Sequence, residues 1–140
     1  MNASIQRFQF VLGLILIGAT IGCGGRSDRP ETFPVKGTVT VNGTPLEKGT
    51  IKFRGDPSNT ASTGGEVVDG VFAFDATSGE KLVEIVATRA IPGKFVEPNP
   101  GEKVQATEQF IPKEYNREST LRADVQSEPP NEFTFDLKVP

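Results

Sequence analysis

The chain has no histidine and no tryptophan, and only one cysteine and one tyrosine among its 140 residues. Without histidine it lacks the commonest general base near neutral pH and the commonest zinc ligand. A single cysteine cannot form a disulfide within the chain, so stability has to come from packing. The missing tryptophan and scarce tyrosine deprive it of the flat aromatic platforms on which sugars usually stack. Charge is mixed, with 15 basic against 18 acidic side chains. Nucleic acid asks for a basic face, so it is excluded as a partner. No segment beyond residue 23 carries helical apolar spacing of any length.

What is present begins with Phe8–Cys23, FQFVLGLILIGATIGC, an uncharged apolar run preceded by Arg7 and closed by small residues. That is the layout of a cleaved secretory signal. As a helix, Phe8–Ile21 would be about 21 Å long, short for a hydrocarbon core of roughly 30 Å. Thr20-Ile21-Gly22-Cys23 resembles the bacterial lipobox, although Thr20 stands where that pattern has leucine. The resemblance implies a signal peptide over 1–22, lipidation of Cys23 and an extracytoplasmic protein anchored in the bilayer. Each buried methylene of an acyl chain contributes about 0.8 kcal/mol, so two or three chains hold durably. Gly24, rather than an aspartate, follows the cysteine and favours the outer membrane. Removing 1–22 leaves 118 of 140 residues, with 14 basic and 18 acidic side chains, a size suited to one domain.

Residues 23–33 read as the lipidated cysteine and a polar, Gly- and Pro-containing tether, and 34–140 as the domain. From Phe33 onward, short apolar alternations are punctuated by turn residues. Val35, Val39 and Val41 share one face, and Asn42-Gly43 is a strong two-residue hairpin signal. Leu46, Ile51 and Phe53 lie on the return, which Pro45 and Gly49 interrupt. Glu66–Val68, Asp69-Gly70 and Val71–Phe74 form a second hairpin. Leu82–Ala87 is the least polar strand and belongs mid-sheet, while Thr120–Val125 and Phe133–Val139 close the fold. Pro92–Phe110, with Pro92, Pro98 and Pro100 among charges, reads as one extended loop, unusually long for a compact domain. The pattern predicts an all-β fold, a single antiparallel β-sandwich of about seven strands.

Val35-Lys36-Gly37-Thr38-Val39, Asn42-Gly43-Thr44-Pro45-Leu46 and Gly49-Thr50-Ile51-Lys52-Phe53 resemble the opening of carboxypeptidase-regulatory-like domains. The resemblance implies a transthyretin- or prealbumin-like sandwich. Ile111-Pro112-Lys113-Glu114-Tyr115-Asn116, Ser119-Thr120-Leu121 and the N-x-F-x-F-x-L run Asn131–Leu137 are similar to a subgroup of small bacterial lipoproteins without assigned activity. Transthyretin-like hydroxyisourate hydrolases need histidines, and intradiol dioxygenases need two tyrosines and two histidines. The inventory of this chain fits neither.

Residue by residue, the chemistry thins out. Asp69 is explained as a turn residue, and Asp75 and Asp124 flank strands without the converging D-x-D-x-D-G pattern of a calcium loop, so neither a metal nor a cofactor is expected. Tyr115 is read as a tyrosine-corner residue, its ring in the core and its hydroxyl bonded to backbone. Phe53, Phe72, Phe74, Phe133 and Phe135 lie at strand periodicity, whereas Phe33, Phe95 and Phe110 fall outside regular strands. That leaves the segment Ile91–Gln109 as a contact loop, with Ile91, Phe95 and Val96 as apolar contacts among charges. The expectation is a non-catalytic, lipid-anchored structural or protein-contact module of a bacterial envelope. The alternative is a carbohydrate-binding module.

Overall fold

The computed structural model describes residues 29–55 and 62–140. The signal segment, Cys23 and most of the tether therefore lie outside the described residues. Ten strands lie among the described residues: β1 (Thr32–Val41), β2 (Thr44–Pro45), β3 (Lys48–Arg54), β4 (Thr63–Val68), β5 (Val71–Thr77), β6 (Gly79–Val86), β7 (Thr88–Asn99), β8 (Glu102–Gln109), β9 (Arg122–Val125) and β10 (Asn131–Leu137). Among the described residues the one helical element is a single 3-10 turn, Lys113–Tyr115. The first strand starts earlier than expected. Thr32 and Phe33, read from sequence as tether, pair with Thr77 and Ala76 of β5.

Seven strands run in the order β10-β1-β5-β4-β3-β6-β9. The path folds over at the β4–β5 hairpin, whose strands pair at Val68 and Val71 alone before parting. One layer is β10-β1-β5 and the other β4-β3-β6-β9. Alternation decides which side chains meet between them. Val35 and Val39 of β1, Ile51 and Phe53 of β3, Phe72 of β5, Val83 and Ile85 of β6 and Leu137 of β10 are all buried. At the centre, the Phe53 ring stands edge-on to Phe74 at 5.1 Å, Phe133 at 5.5 Å, Phe72 at 6.2 Å and Phe135 at 6.5 Å. Edge-to-face pairs of this kind contribute about 0.5–1.5 kcal/mol each beyond area burial. β6 lies between β3 and β9, so the least polar strand is an interior one.

Both dipeptide turns have the predicted geometry. Asn42 and Gly43 carry φ of 50° and 81°, and Asp69 and Gly70 carry 50° and 77°, the paired positive values of a type I′ turn. The strand after Asn42-Gly43 pairs with β1 only at Thr44 and Pro45. It then crosses to the other layer, with Leu46 buried at the crossing. One pairing departs from the antiparallel expectation: β10 runs parallel to β1, from Val35–Asn131 to Val41–Leu137. The reason is the connection. β9 ends where β1 begins, and the short loop Gln126–Pro130 can only start β10 at that same end. The buried Asn131 side chain fixes the loop, accepting from the Gln126 amide at 2.8 Å and donating to the Gln126 carbonyl at 2.9 Å.

Glycine is required in β1 for space rather than for φ. A Cβ on Gly37 would sit 1.9 Å from the Phe133 carbonyl oxygen and 2.7 Å from Cζ of Phe72. The parallel partner strand and the aromatic cluster can close on β1 only where there is no side chain.

Candidate functional site

The segment expected to be a loop is a two-stranded ribbon. β7 and β8 pair antiparallel at Thr88–Gln109, Arg89–Glu108 and Ala90–Thr107, then at Phe95–Gln105 and Val96–Val104, and last at Asn99–Glu102. The three prolines that argued against strands each fall where no ladder hydrogen bond is demanded of them. Pro92 lies in the register shift between Ala90 and Phe95, Pro98 in the shift between Val96 and Asn99, and Pro100 in the turn that follows Asn99. Gly93 and Gly101 supply the positive φ at the bulge and the tip, 71° and 84°.

Polar side chains brace the ribbon. Arg89 pairs with Glu108 at 2.8 Å, and its guanidinium lies 5.5 Å from the centre of the Phe110 ring. The Gln105 amide donates to the Ile91 carbonyl across the bulge at 3.2 Å. Near the tip, Asn99 donates to Glu102 at 2.7 Å, and the Gly101 amide donates to Glu97 at 2.8 Å. A lone two-stranded ribbon is marginal in water, and these contacts are what it has in place of a core.

Its apolar side chains are largely uncovered. Phe95 is 59% exposed and Val96 45%, while Val104 is 38% exposed and Ile91 is half-buried. Ala106 is the one buried residue of β8. Directly opposed residues share a face, so Val96 and Val104 lie together and Phe95 points to the other side with Gln105. Where the ribbon meets the sandwich there is a groove of about 500 Å³ between the Thr44–Lys48 connector and Thr88–Ala90, with Val41, Leu46 and Phe110 among its lining residues.

The registers also orient the ribbon. β1 starts opposite the end of β5 and ends beside the Asp69-Gly70 turn. β3 starts at that turn, paired to the end of β4, and β6 ends beside the start of β3. β7 follows β6 directly, so the ribbon leaves the sandwich at the end opposite to where the chain enters it. The ten-residue β1 sets that separation at about 30 Å.

Other residues singled out from sequence have structural work. The Lys138 amide donates to the Tyr115 hydroxyl at 3.0 Å, and the half-buried ring packs on the core, as a tyrosine corner would. Tyr115 belongs to the 3-10 turn rather than preceding a strand directly. Asn116 donates to the Ile111 and Pro112 carbonyls at 3.2 and 2.9 Å and accepts from the Arg117 amide at 2.8 Å. Ser119 donates to the Val83 carbonyl, and the Leu121 carbonyl accepts from the Val83 amide at 2.9 Å. The I-P-x-x-Y-N and S-T-L motifs thus pin the crossing from β8 to β9. Of the phenylalanines placed outside strands, Phe33 lies in β1 and Phe95 in β7, and Phe110 follows β8. Asp75 and Asp124 are exposed on β5 and β9, and no cluster of acidic side chains suited to a metal ion occurs among the described residues.

Sequence reading missed two features. Asn42 does more than turn: its side chain donates to the Val139 carbonyl at 2.8 Å and accepts from the Val139 amide at 3.0 Å, extending the ladder beyond Leu137. Lys81, at an inward position of β6, is 1% exposed. Its ammonium donates to the Thr77 hydroxyl at 2.8 Å and the Ser78 carbonyl at 3.1 Å, and burial pushes its pKa down. Among the described residues no carboxylate pairs with it. The inward alternation Lys81, Val83, Ile85 was the available signal. Compared with protein-family profiles, with curated proteins and with solved structures, the chain matches none.

Proposed function

We propose that the protein is a non-catalytic, lipid-anchored extracytoplasmic β-sandwich whose β7–β8 ribbon contacts a protein of the bacterial envelope. The observation behind this reading is the ribbon itself, which carries Phe95, Val96 and Val104 exposed at the end of the sandwich away from the chain's entry. An acyl anchor on Cys23 would hold the entry end toward the bilayer and turn the ribbon outward, within reach of other envelope components. The core phenylalanines and Tyr115 are committed to packing and to a backbone bond. That supports contact by aliphatic and aromatic ribbon residues over a sugar platform.

Crosslinking in intact cells tests the reading. The chain with Ile91–Gln109 replaced by a short Gly/Ser linker should keep its fold and lose the crosslinked partner. Cys23→Ser should move the domain from the membrane to the soluble fraction. Unchanged partners would place the contact elsewhere, and unchanged fractionation would remove the anchor.

A further inference from the structure

Among the described residues several strand edges are short or interrupted by proline, and the outer edge of β8 is neither. β9 is only four residues long. β2 is two residues and contains Pro45. β10 is preceded by Pro129-Pro130, and the backbone amide that follows it, Lys138, is taken by the Tyr115 hydroxyl. In the ribbon, β7 contains Pro92 and Pro98, which remove donors from its outer side or from its irregular stretches. β8, Glu102–Gln109, pairs with β7 alone; it is eight residues long, contains no proline, and no side-chain bond to its backbone amides occurs among the described residues. Natural sheets blunt exposed edges with proline, short length or caps, because an open edge accepts a foreign strand.

We infer that the outer edge of β8 is a strand-addition site for an extended segment of a partner protein, one with alternating apolar residues flanked by basic ones. This rests on the ribbon being the contact element and adds how it binds and what it selects. Backbone bonds to the edge supply affinity, and alternate side chains supply specificity. Glu102, Val104, Ala106 and Glu108 alternate onto one face of β8. An added strand therefore meets two small apolar residues between two carboxylates. Glu108 is shared with Arg89, whereas Glu102 has only the neutral Asn99 amide, so Glu102 is the stronger attractor of a cation. The other face presents Lys103, Gln105, Thr107 and Gln109, which carry no acid.

The test uses the full chain and two synthetic peptides, KTVTVTK and ETVTVTE, with binding read by fluorescence anisotropy. The basic-flanked peptide should bind at least about tenfold more tightly, a difference of about 1.4 kcal/mol, and the preference should weaken with salt. Glu102→Lys, which leaves the ladder intact, should abolish the preference. Successive amides of a strand point to opposite sides, so of Val104→Pro and Gln105→Pro one blocks the outer edge and the other breaks the pairing with β7. The variant that keeps the ribbon's fold should lose peptide binding. Equal binding of the two peptides, no binding of either, or binding that survives the edge proline overturns the proposal. In cells, crosslinks lost on ribbon replacement but kept with the edge proline would overturn strand addition while leaving the ribbon as the contact element.

Discussion

The sandwich and the ribbon are built from the same strand geometry and are held by different means. In the sandwich, alternate residues point into a shared interior, and Phe53 touches four other rings. In the ribbon, most residues on both faces are exposed, and order comes from one ion pair, a few amide bonds and two glycines at positive φ. An apolar residue in the first region stabilises the fold. In the second it contributes little to the fold, so its presence asks for a partner.

The sharpest way to break that comparison is to delete one phenylalanine from each region. Phe53→Ala should cost about 3–5 kcal/mol, because the cavity opens at the centre of the aromatic cluster. Phe95→Ala should stay within about 0.5 kcal/mol, as for an exposed position. Urea unfolding of both variants measures this, and similar losses would mean the ribbon packs as part of the core.

The two type I′ turns come next, since their glycines share a positive φ and differ in their surroundings. A Cβ at Gly70 would lie 2.7 Å from the Pro45 Cβ and 3.1 Å from the Val39 carbonyl, whereas at Gly43 it would meet nothing within 4 Å. Gly43→Ala should therefore cost about 1 kcal/mol for the positive φ alone. Gly70→Ala should cost about twice that, because overpacking adds to the same φ penalty. Equal melting-temperature shifts would show that the Asp69–Pro45 corner yields freely.

The smaller effect within the sandwich is a pH dependence from Lys81. Its folded pKa lies below the unfolded value of 10.5 because burial disfavours the cation. Between those two values the unfolded chain holds more protons, so stability rises with pH there. The cost of burying the charge is full below the folded pKa and is relieved as pH climbs toward 10.5. Relative to Lys81→Met, the wild type should gain stability as pH rises toward 10.5. A flat difference between the two unfolding curves over that range would contradict the assignment.

Much of the sandwich was legible because burial of one face leaves a period of two in the sequence. Val35/Val39, Val83/Ile85 and Phe133/Phe135 show it, and Asn-Gly and Asp-Gly mark where the chain reverses. The direction of β10 was not legible, since alternation reads the same forward and backward. It is decided by where β9 ends. The ribbon was hidden for a different reason. With no core to face, its strands need no apolar alternation, and Pro92, Pro98 and Pro100 broke what pattern remained. Only the register shows that all three sit at bulges or the turn. Phe95 and Val96 were nonetheless readable as apolar side chains outside the core, left over once the strand-periodic ones had been assigned, and both are exposed, whereas Ile91 is half-buried. Val104, which lies opposite Val96 across the ribbon, needed the pairing to be seen.

The most direct measurement of the central claim is a triple replacement, Phe95→Ser, Val96→Ser and Val104→Ser, assayed for melting temperature and for crosslinked partners in intact cells. The account predicts a melting temperature within about 2 °C of wild type, as expected for a stability change of about 0.5 kcal/mol or less, together with loss of the partner. A folded triple variant that keeps its partner would contradict it.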